Sequence, residues 1–212
     1  MSEPISETHS KPPGQLQLER LVFFSDAVFA IAITLLVLEI KLPELGEHVT
    51  DADIGHALIH VAPKIIGFIV SFLVIAAYWE GHHRMFALVE RVDRGLMWRN
   101  LVLLLTVSFS PFPTALFSEY PSLALPLRFY AISLAAVGVC SAMVWRYATQ
   151  HLLMADADPR EVRRLRNRTF ATPLVCLVAM IVSTFSLPIA RILLILIPVA
   201  VGVGDRLAGR RT

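Results

Sequence analysis

Long apolar segments constrain the fold of this chain more than any other feature of its sequence. A membrane-spanning helix needs about 20 apolar residues, because each residue adds about 1.5 Å along the helix axis. Six segments approach that length: residues 21–42, 60–82, 97–117, 125–145, 170–187 and 189–203. Hydrophobic residues make up 56% of the chain and charged residues 17%, which is too apolar for a soluble protein of this length. The sequence therefore predicts an all-α membrane protein with six transmembrane helices per subunit.

Prolines mark two places where these helices are interrupted. Pro111 and Pro113 lie within the third segment, where the missing N–H and the ring of a proline kink or shorten a helix. Pro188 separates the last two segments, both of which are short. We therefore expect a kinked or shortened third helix, and either a tight helical hairpin or one broken helix over residues 170–203.

Basic residues are distributed unequally between the two sides of the predicted membrane. With the N-terminus inside the cell, the outer side holds only these of the 19 lysines and arginines: Lys41, Lys64, Arg128 and Arg191. Because cytoplasmic loops carry an excess of Lys and Arg, both termini are predicted to be cytoplasmic, in a plasma membrane or a bacterial inner membrane. The predicted organisation is a cytoplasmic tail at 1–19, a six-helix transmembrane domain at 20–206 and a second tail at 207–212.

The most basic stretch of the chain, residues 158–168, lies just before the fifth apolar segment. Arginines in that position are typical of a topology anchor beside anionic lipid. We therefore expect the lipid bilayer, and not nucleic acid, as the partner of this stretch.

The first apolar segment combines a polar start with a regular apolar stripe. It opens with Arg20 and, shortly after, Ser25 and Asp26, and charges at membrane depth are retained for a functional or assembly role. At about 100° per residue, four side chains further along share one face of the helix: Ile31, Thr34, Leu35 and Leu38. Asp26 lies about 140° from Ile31 and points elsewhere. Periodicity alone leaves two interpretations open: a stripe that faces a central axis, or ordinary lipid-facing or packing surface.

A motif in this segment resembles the first helix of the transmembrane-protein-175 family of potassium channels, in its short bacterial form. The residues that carry the resemblance are Arg20, Phe24, Ser25 and Asp26, followed by the run from Ala30 to Glu39. The resemblance implies a homotetramer whose four first helices line the pore. It implies that Ile31 forms the narrowest point, that Leu35 and Leu38 form further apolar layers, and that Thr34 forms a threonine layer.

The resemblance also implies partners for the polar start of the helix. In the family, the Phe-Ser-Asp residues bond to a tryptophan and a histidine of the second helix and an asparagine of the third. The residues of this chain that resemble those partners are Trp79, His83 and Asn100, with the adjacent His82 as the alternative histidine. The complete predicted structural network is Arg20, Phe24, Ser25, Asp26, Trp79, His83 and Asn100.

An apolar constriction has a physical basis for favouring potassium over sodium. A ring of aliphatic side chains offers no oxygens to replace the water around an ion, so entry costs dehydration, and the ring can close by dewetting. Potassium holds its water less tightly than sodium does. The chain lacks the Thr-Val-Gly-Tyr-Gly sequence of carbonyl-lined potassium filters. The resemblance, which this physics makes plausible, implies a potassium-favouring channel for monovalent cations, and the predicted function is that channel, with potassium as the permeant ion and no cofactor.

Three other classes of function remain as alternatives: a proton pathway or transporter, an intramembrane enzyme, and a non-conducting scaffold. A proton-permeable pathway or secondary cation transporter would use Asp26 and His83 as a relay, although the chain shows no pair of broken helices in corresponding repeats. An intramembrane enzyme would need converging reactive groups, and His-Glu-x-x-His, Gly-x-Ser-x-Gly and paired-aspartate motifs are absent from the sequence. We therefore expect no catalytic residues. We also expect no metal site, since the i, i+4 pair His56 and His60 has no evident third ligand.

Overall fold

The computed structural model describes residues 13–46 and 48–197, and this part of the chain is helical apart from its turns and linkers. The α-helices are α1 (Pro13–Leu35), α2 (Asp51–Phe86), α3 (Arg94–Phe109), α4 (Pro111–Glu119), α5 (Ala124–His151), α6 (Pro159–Val182) and α7 (Leu187–Ile195). A 3₁₀ turn, Leu36–Glu39, directly continues α1. The predicted all-α architecture is confirmed.

Five helical stretches of the described chain are long and apolar enough to cross a membrane. They are Gly14–Glu39, Asp51–Phe86, Arg94–Glu119, Ala124–His151 and Pro159–Val182. They correspond to the first five predicted segments. The sixth segment, 189–203, runs beyond the described residues, so six spans per subunit remain a prediction, as does the tail at 207–212.

Three helices begin well before the hydropathy pattern predicts. Helix α2 starts at Asp51 and not near residue 60, because the side chain of Thr50 accepts a hydrogen bond from the N–H of Asp53. Helix α1 starts at Pro13, inside the predicted tail. Helix α6 starts at Pro159, because Asp158 accepts a hydrogen bond from the N–H of Arg160 and proline favours the first helical turn. The basic stretch is therefore part of the helix that carries the fifth span.

The third span is broken at Ser110, next to the prolines that predicted an interruption. Helix α3 ends at Phe109, and α4 restarts with Pro111, whose missing N–H is tolerated in a first turn. The described parts of the last two segments, α6 and α7, form a hairpin. Leu165 near the start of α6 and Ile197 beyond the end of α7 line the same small cavity, so the two helices run antiparallel.

Helix α5 lies at the centre of the subunit and contacts α2, α3, α4, α6 and α7. Its close approach to α2 and α6 depends on Gly138, where a Cβ atom would lie 2.3 Å from Cγ of Pro173 and 2.8 Å from the hydroxyl of Tyr78. In contrast, α1 lies at the edge of the subunit. It packs through one face against α2 and α3, and this placement leaves its other face uncovered.

The start of α3 is tied to the end of α5 by a polar cluster. Asp93 accepts a hydrogen bond from the N–H of Leu96 at 2.7 Å, which caps α3, and another from the hydroxyl of Tyr147 at 2.7 Å. The guanidinium of Arg99 lies 4.0 Å from the centre of the Tyr147 ring. Burial raises the pKa of Asp93, but the hydrogen bonds from Tyr147 and the backbone outweigh it and hold that pKa below its usual value.

Candidate functional site: an uncovered helix face and its polar anchor

Helix α1 has two faces of opposite character. One face packs on α2 and α3, and the residues that form it recur at helical spacing and are all buried: Leu21, Ser25, Phe29, Ala32 and Leu36. The opposite face is exposed along its length, and it includes every residue of the predicted stripe: Ile31, Thr34, Leu35 and Leu38. Ile31 is 58% exposed and Leu38 is 64% exposed. A single subunit therefore leaves a large apolar surface of a membrane-spanning helix without a partner.

The exposed face extends further towards the start of the helix than the sequence analysis predicts. Ala27 and Phe24 precede Ile31 by one and two turns, and both are exposed, Phe24 to 52%. Phe24 therefore lies on the same face as Ile31 and away from the polar network in which it was predicted. The i, i+7 spacing of Phe24 and Ile31 was the sequence signal for this placement.

Leu38 is placed by a 3₁₀ turn and not by the α-helix that the prediction assumed. In 3₁₀ geometry, residues i and i+3 eclipse each other. Leu38 therefore lies directly above Leu35 along the helix axis. In a continued α-helix, Leu35 and Leu38 would instead lie on either side of Ile31.

Thr34 presents an oxygen on the exposed face. Its hydroxyl donates to the backbone carbonyl of Ile31 at 2.9 Å. The hydrogen is thus directed at the helix backbone, and the oxygen lone pairs remain available to a cation on the exposed side.

The buried face of α1 is held by a chain of hydrogen bonds that crosses three helices. Nδ2 of Asn100 on α3 donates to Oγ of Ser25 at 2.8 Å, and Oγ of Ser25 donates to the carbonyl of Leu21 at 2.8 Å. Nε2 of His82 on α2 lies 2.8 Å from Oδ1 of Asn100. Since an amide oxygen only accepts, Nε2 of His82 carries the proton and donates it. Each bond therefore has a definite direction, and the chain ends on the backbone of α1.

His82 is enclosed by aromatic rings, and only 1% of its surface is exposed. Its ring stacks on Phe86 with 4.4 Å between centroids and lies 5.5 Å from the ring of Phe29. Its Nδ1 is buried and has no hydrogen-bond partner among the described residues. The surroundings of this imidazole are apolar, with Asn100 as its polar contact.

Asp26 is held separately from this chain. Its Oδ1 accepts a hydrogen bond from the indole N–H of Trp79 at 2.8 Å. Trp79 is itself partly exposed, and the ring of His83 lies 5.8 Å from the Trp79 ring, tilted by 31°. Two adjacent residues of α1 are therefore bonded to two different helices, Ser25 to α3 and Asp26 to α2.

The structure corrects three members of the predicted network. The histidine that bonds to Asn100 is His82, whereas His83 is exposed and contacts Trp79 by its ring alone. Arg20 is exposed, and no hydrogen bond or ion pair joins it to the network within residues 13–46 and 48–197. Phe24 lies on the opposite face, as described above. Ser25, Asp26, Trp79 and Asn100 do come together.

Comparison with known proteins identifies the family. The sequence model of the endosomal/lysosomal potassium channel TMEM175 matches residues 20–111, which include the exposed stripe and the polar network. A potassium channel of Chamaesiphon minutus is 38% identical over 179 residues, which cover 82% of this chain and 88% of the relative. This chain belongs to the TMEM175 family.

A solved structure and a human relative show how far the similarity extends. The crystal structure of a lysosomal potassium-selective channel TMEM175 homolog from Chamaesiphon minutus superposes with a TM-score of 0.78 at 33% identity, covering 88% of this chain and 97% of that one. The human endosomal/lysosomal proton channel TMEM175 is 29% identical over 208 residues, which cover 91% of this chain but 41% of the human protein. The similarity to the bacterial homolog thus spans nearly the whole of both chains.

Proposed function

We propose that this chain forms a potassium-favouring cation channel in which four copies of α1 surround a common pore. The observation that carries the proposal is the uncovered face of α1, which is apolar except for Thr34 and lies opposite a face fixed by hydrogen bonds. A membrane-spanning helix that is tied down on one side and unpartnered on the other is suited to line an axis shared between subunits. The relatives named as potassium channels support the proposal.

In the proposed tetramer, Ile31 forms the narrowest ring, and Leu35 and Leu38 form further apolar layers beyond it. An ion that passes such a ring sheds part of its water without replacement oxygens, so the barrier is lower for potassium than for sodium. The hydroxyl oxygens of Thr34, whose protons are directed at the backbone, lower that cost by offering lone pairs close to Ile31. Discrimination by this arrangement is modest, because no oxygen cage encloses the ion.

The polar anchor keeps the apolar ring in register. Rotation of α1 by one residue, about 100°, would turn Ile31 away from the axis and would break the bonds of Ser25 and Asp26. The bonds to two different helices resist rotation in both directions. The anchor therefore acts as a positioning element, and its residues do not contact the permeating ion.

The proton alternative gains support from the name of the human relative, but the anchor is poorly suited to carry protons. The chain from His82 ends on the carbonyl of Leu21, and Asp26 bonds to an indole, which only donates. Neither arrangement passes a proton onward. We therefore assign any proton permeation to the α1 pore and not to an Asp26–histidine relay.

The reversal potential in a planar bilayer, with potassium on one side and sodium on the other, tests this proposal. We expect wild-type current to reverse towards the potassium equilibrium potential, and Ile31→Asn to move the reversal potential towards zero. Ile132→Asn is the matched control, because Ile132 is an isoleucine on α5 with a similar exposure of 53%. A wild type without preference, or an unchanged Ile31→Asn variant, would contradict the proposal.

A further inference from the structure

The end of α1 that is remote from the anchor borders a cavity of about 300 Å³. Its walls come from the 3₁₀ turn and the residues after it, from α2, and from α4 with the residue that follows it. Leu36, Phe68, Phe112 and Leu116 give the cavity apolar walls. The cavity is thus large enough to hold a small ligand or a lipid headgroup, and it touches the helix that we propose to line the pore.

The charged groups of this cavity balance one another. Lys64 and Glu119 form an ion pair at 2.5 Å, in which the lysine is mostly buried and the glutamate half-exposed. Glu39 and Lys41 line the same cavity. Two acidic and two basic side chains leave no net charge, so neither a simple anion nor a simple cation is favoured. A ligand that carries both charges is complementary to this wall.

Close packing of α4 on α2 fixes one wall of the cavity. Oγ of Ser118 is buried and has no hydrogen-bond partner among the described residues. It occupies the space left by Gly67, where a Cβ atom would lie 2.0 Å from it. The contact between Ser118 and Gly67 therefore holds α4 close to α2 beside the cavity.

We propose that this cavity binds the ammonium–phosphate zwitterion of an ethanolamine phospholipid. The phosphate accepts a hydrogen bond from Lys64. The primary ammonium donates to Glu119 and Glu39, and the glycerol and first acyl carbons lie against Phe68 and Phe112. The place agrees with a lipid, because Glu39 ends the candidate span of α1 and Glu119 ends that of α3 and α4, so the cavity lies at the level of lipid headgroups.

The test measures binding and does not depend on conduction, so it can fail or succeed independently of the proposed channel function. Purified, delipidated full-length protein is titrated in native mass spectrometry with phosphatidylethanolamine, phosphatidylglycerol and phosphatidylcholine that carry identical acyl chains. We expect one phosphatidylethanolamine per subunit, bound at least about tenfold more tightly than the other two lipids, as the loss of a charge-assisted hydrogen bond implies. Phosphatidylglycerol lacks the ammonium, and the quaternary ammonium of phosphatidylcholine cannot donate a hydrogen bond.

Two variants remove the site in different ways. Lys64→Met with Glu119→Gln neutralises the ion pair, and Ala115→Phe fills the cavity without a change in charge. Both should abolish the preference for phosphatidylethanolamine. The matched control is Glu80→Gln with Arg84→Met, which neutralises another ion pair on α2 far from the cavity and should keep the preference.

Soluble phosphoethanolamine distinguishes a lipid from a free metabolite as the source of the zwitterion. If it raises the melting temperature of the wild type but not of the Ala115→Phe variant, and binds as tightly as the lipid, the zwitterion site stands and its ligand is soluble. If it binds much more weakly than the lipid, the ligand is the phospholipid. Equal binding of all three lipids, or a preference that survives in both variants, would overturn the proposal.

Discussion

The two ends of α1 are held in different ways. At one end, Ser25 and Asp26 bond directly to Asn100 and Trp79 on two neighbouring helices. At the other end, the helix tightens into a 3₁₀ turn, Leu36–Glu39, beside a cavity of about 300 Å³. The first end is fixed by direct hydrogen bonds, whereas the second has room to move or to take up a ligand. The constriction that we propose between the two ends would therefore take its rotational register from the first end, and its far side would be the side open to a ligand.

Among variants of the anchored end, Asn100→Leu is expected to lower the stability of the protein most. The substitution leaves the buried Nε2–H of His82 unsatisfied, at about 1–3 kcal/mol, and removes the hydrogen bond that Ser25 accepts, although the Ser25 hydroxyl still donates to Leu21. We expect a large fall in the melting temperature of the purified protein in detergent. Asn167→Leu, at an exposed asparagine of α6, should leave it nearly unchanged. Equal stability of the two variants would show that the hydrogen bonds of Asn100 do not stabilise the protein.

A smaller effect should separate the two adjacent histidines of α2. His82→Leu leaves Oδ1 of Asn100 unsatisfied and should cost about 1–3 kcal/mol. His83→Leu, at an exposed position, should change stability by no more than about 0.5 kcal/mol. The measurement is the melting temperature of both variants in the same detergent and buffer, which shows which histidine belongs to the network. If His83→Leu proved the more damaging of the two, the assignment of His82 to the network would be wrong.

The smallest effect should appear on acidification, through the cap of the helix that carries Asn100. Because the pKa of Asp93 is lower in the folded protein, its stabilisation is present above the unfolded value of about 4 and is lost as the pH falls through the folded value. Asp93→Ala should therefore melt below the wild type at pH 7, by an amount typical of a lost cap, about 1 kcal/mol. The difference should shrink at pH 3. A difference that stays constant with pH would contradict this role of the Asp93 carboxylate.

The sequence predicted the elements whose evidence is local. Hydropathy predicted five of the spans, and Pro111 predicted the break in the third. The spacing of Ile31, Thr34 and Leu35 predicted that they share one face of α1. The resemblance to the family correctly placed four residues in one network: Ser25, Asp26, Trp79 and Asn100.

The errors arose where the result depends on how helices rotate against one another. His82 and His83 are adjacent, and both are spaced from Trp79 as neighbours on a helix, at i+3 and i+4. Only the packing of α2 against Phe29 decides which ring is buried. Phe24 was grouped with the polar residues by its motif, although its spacing from Ile31 placed it on the exposed face. The cavity beside Glu39 joins α2, α4 and the 3₁₀ turn, and hydropathy carries no signal for such a junction.

The central claim is that the exposed face of α1 lines an axis shared by several subunits, and cysteine substitution at Ile31 tests it most directly. In a background with Cys140 and Cys176 replaced by alanine, a ring of thiolates at position 31 would bind a soft metal ion at the axis. The account predicts that low concentrations of Cd²⁺ block the current of Ile31→Cys and leave that of Ile132→Cys unaffected. A current of Ile31→Cys that Cd²⁺ does not block, or equal block of both variants, would contradict the placement of this face at the pore.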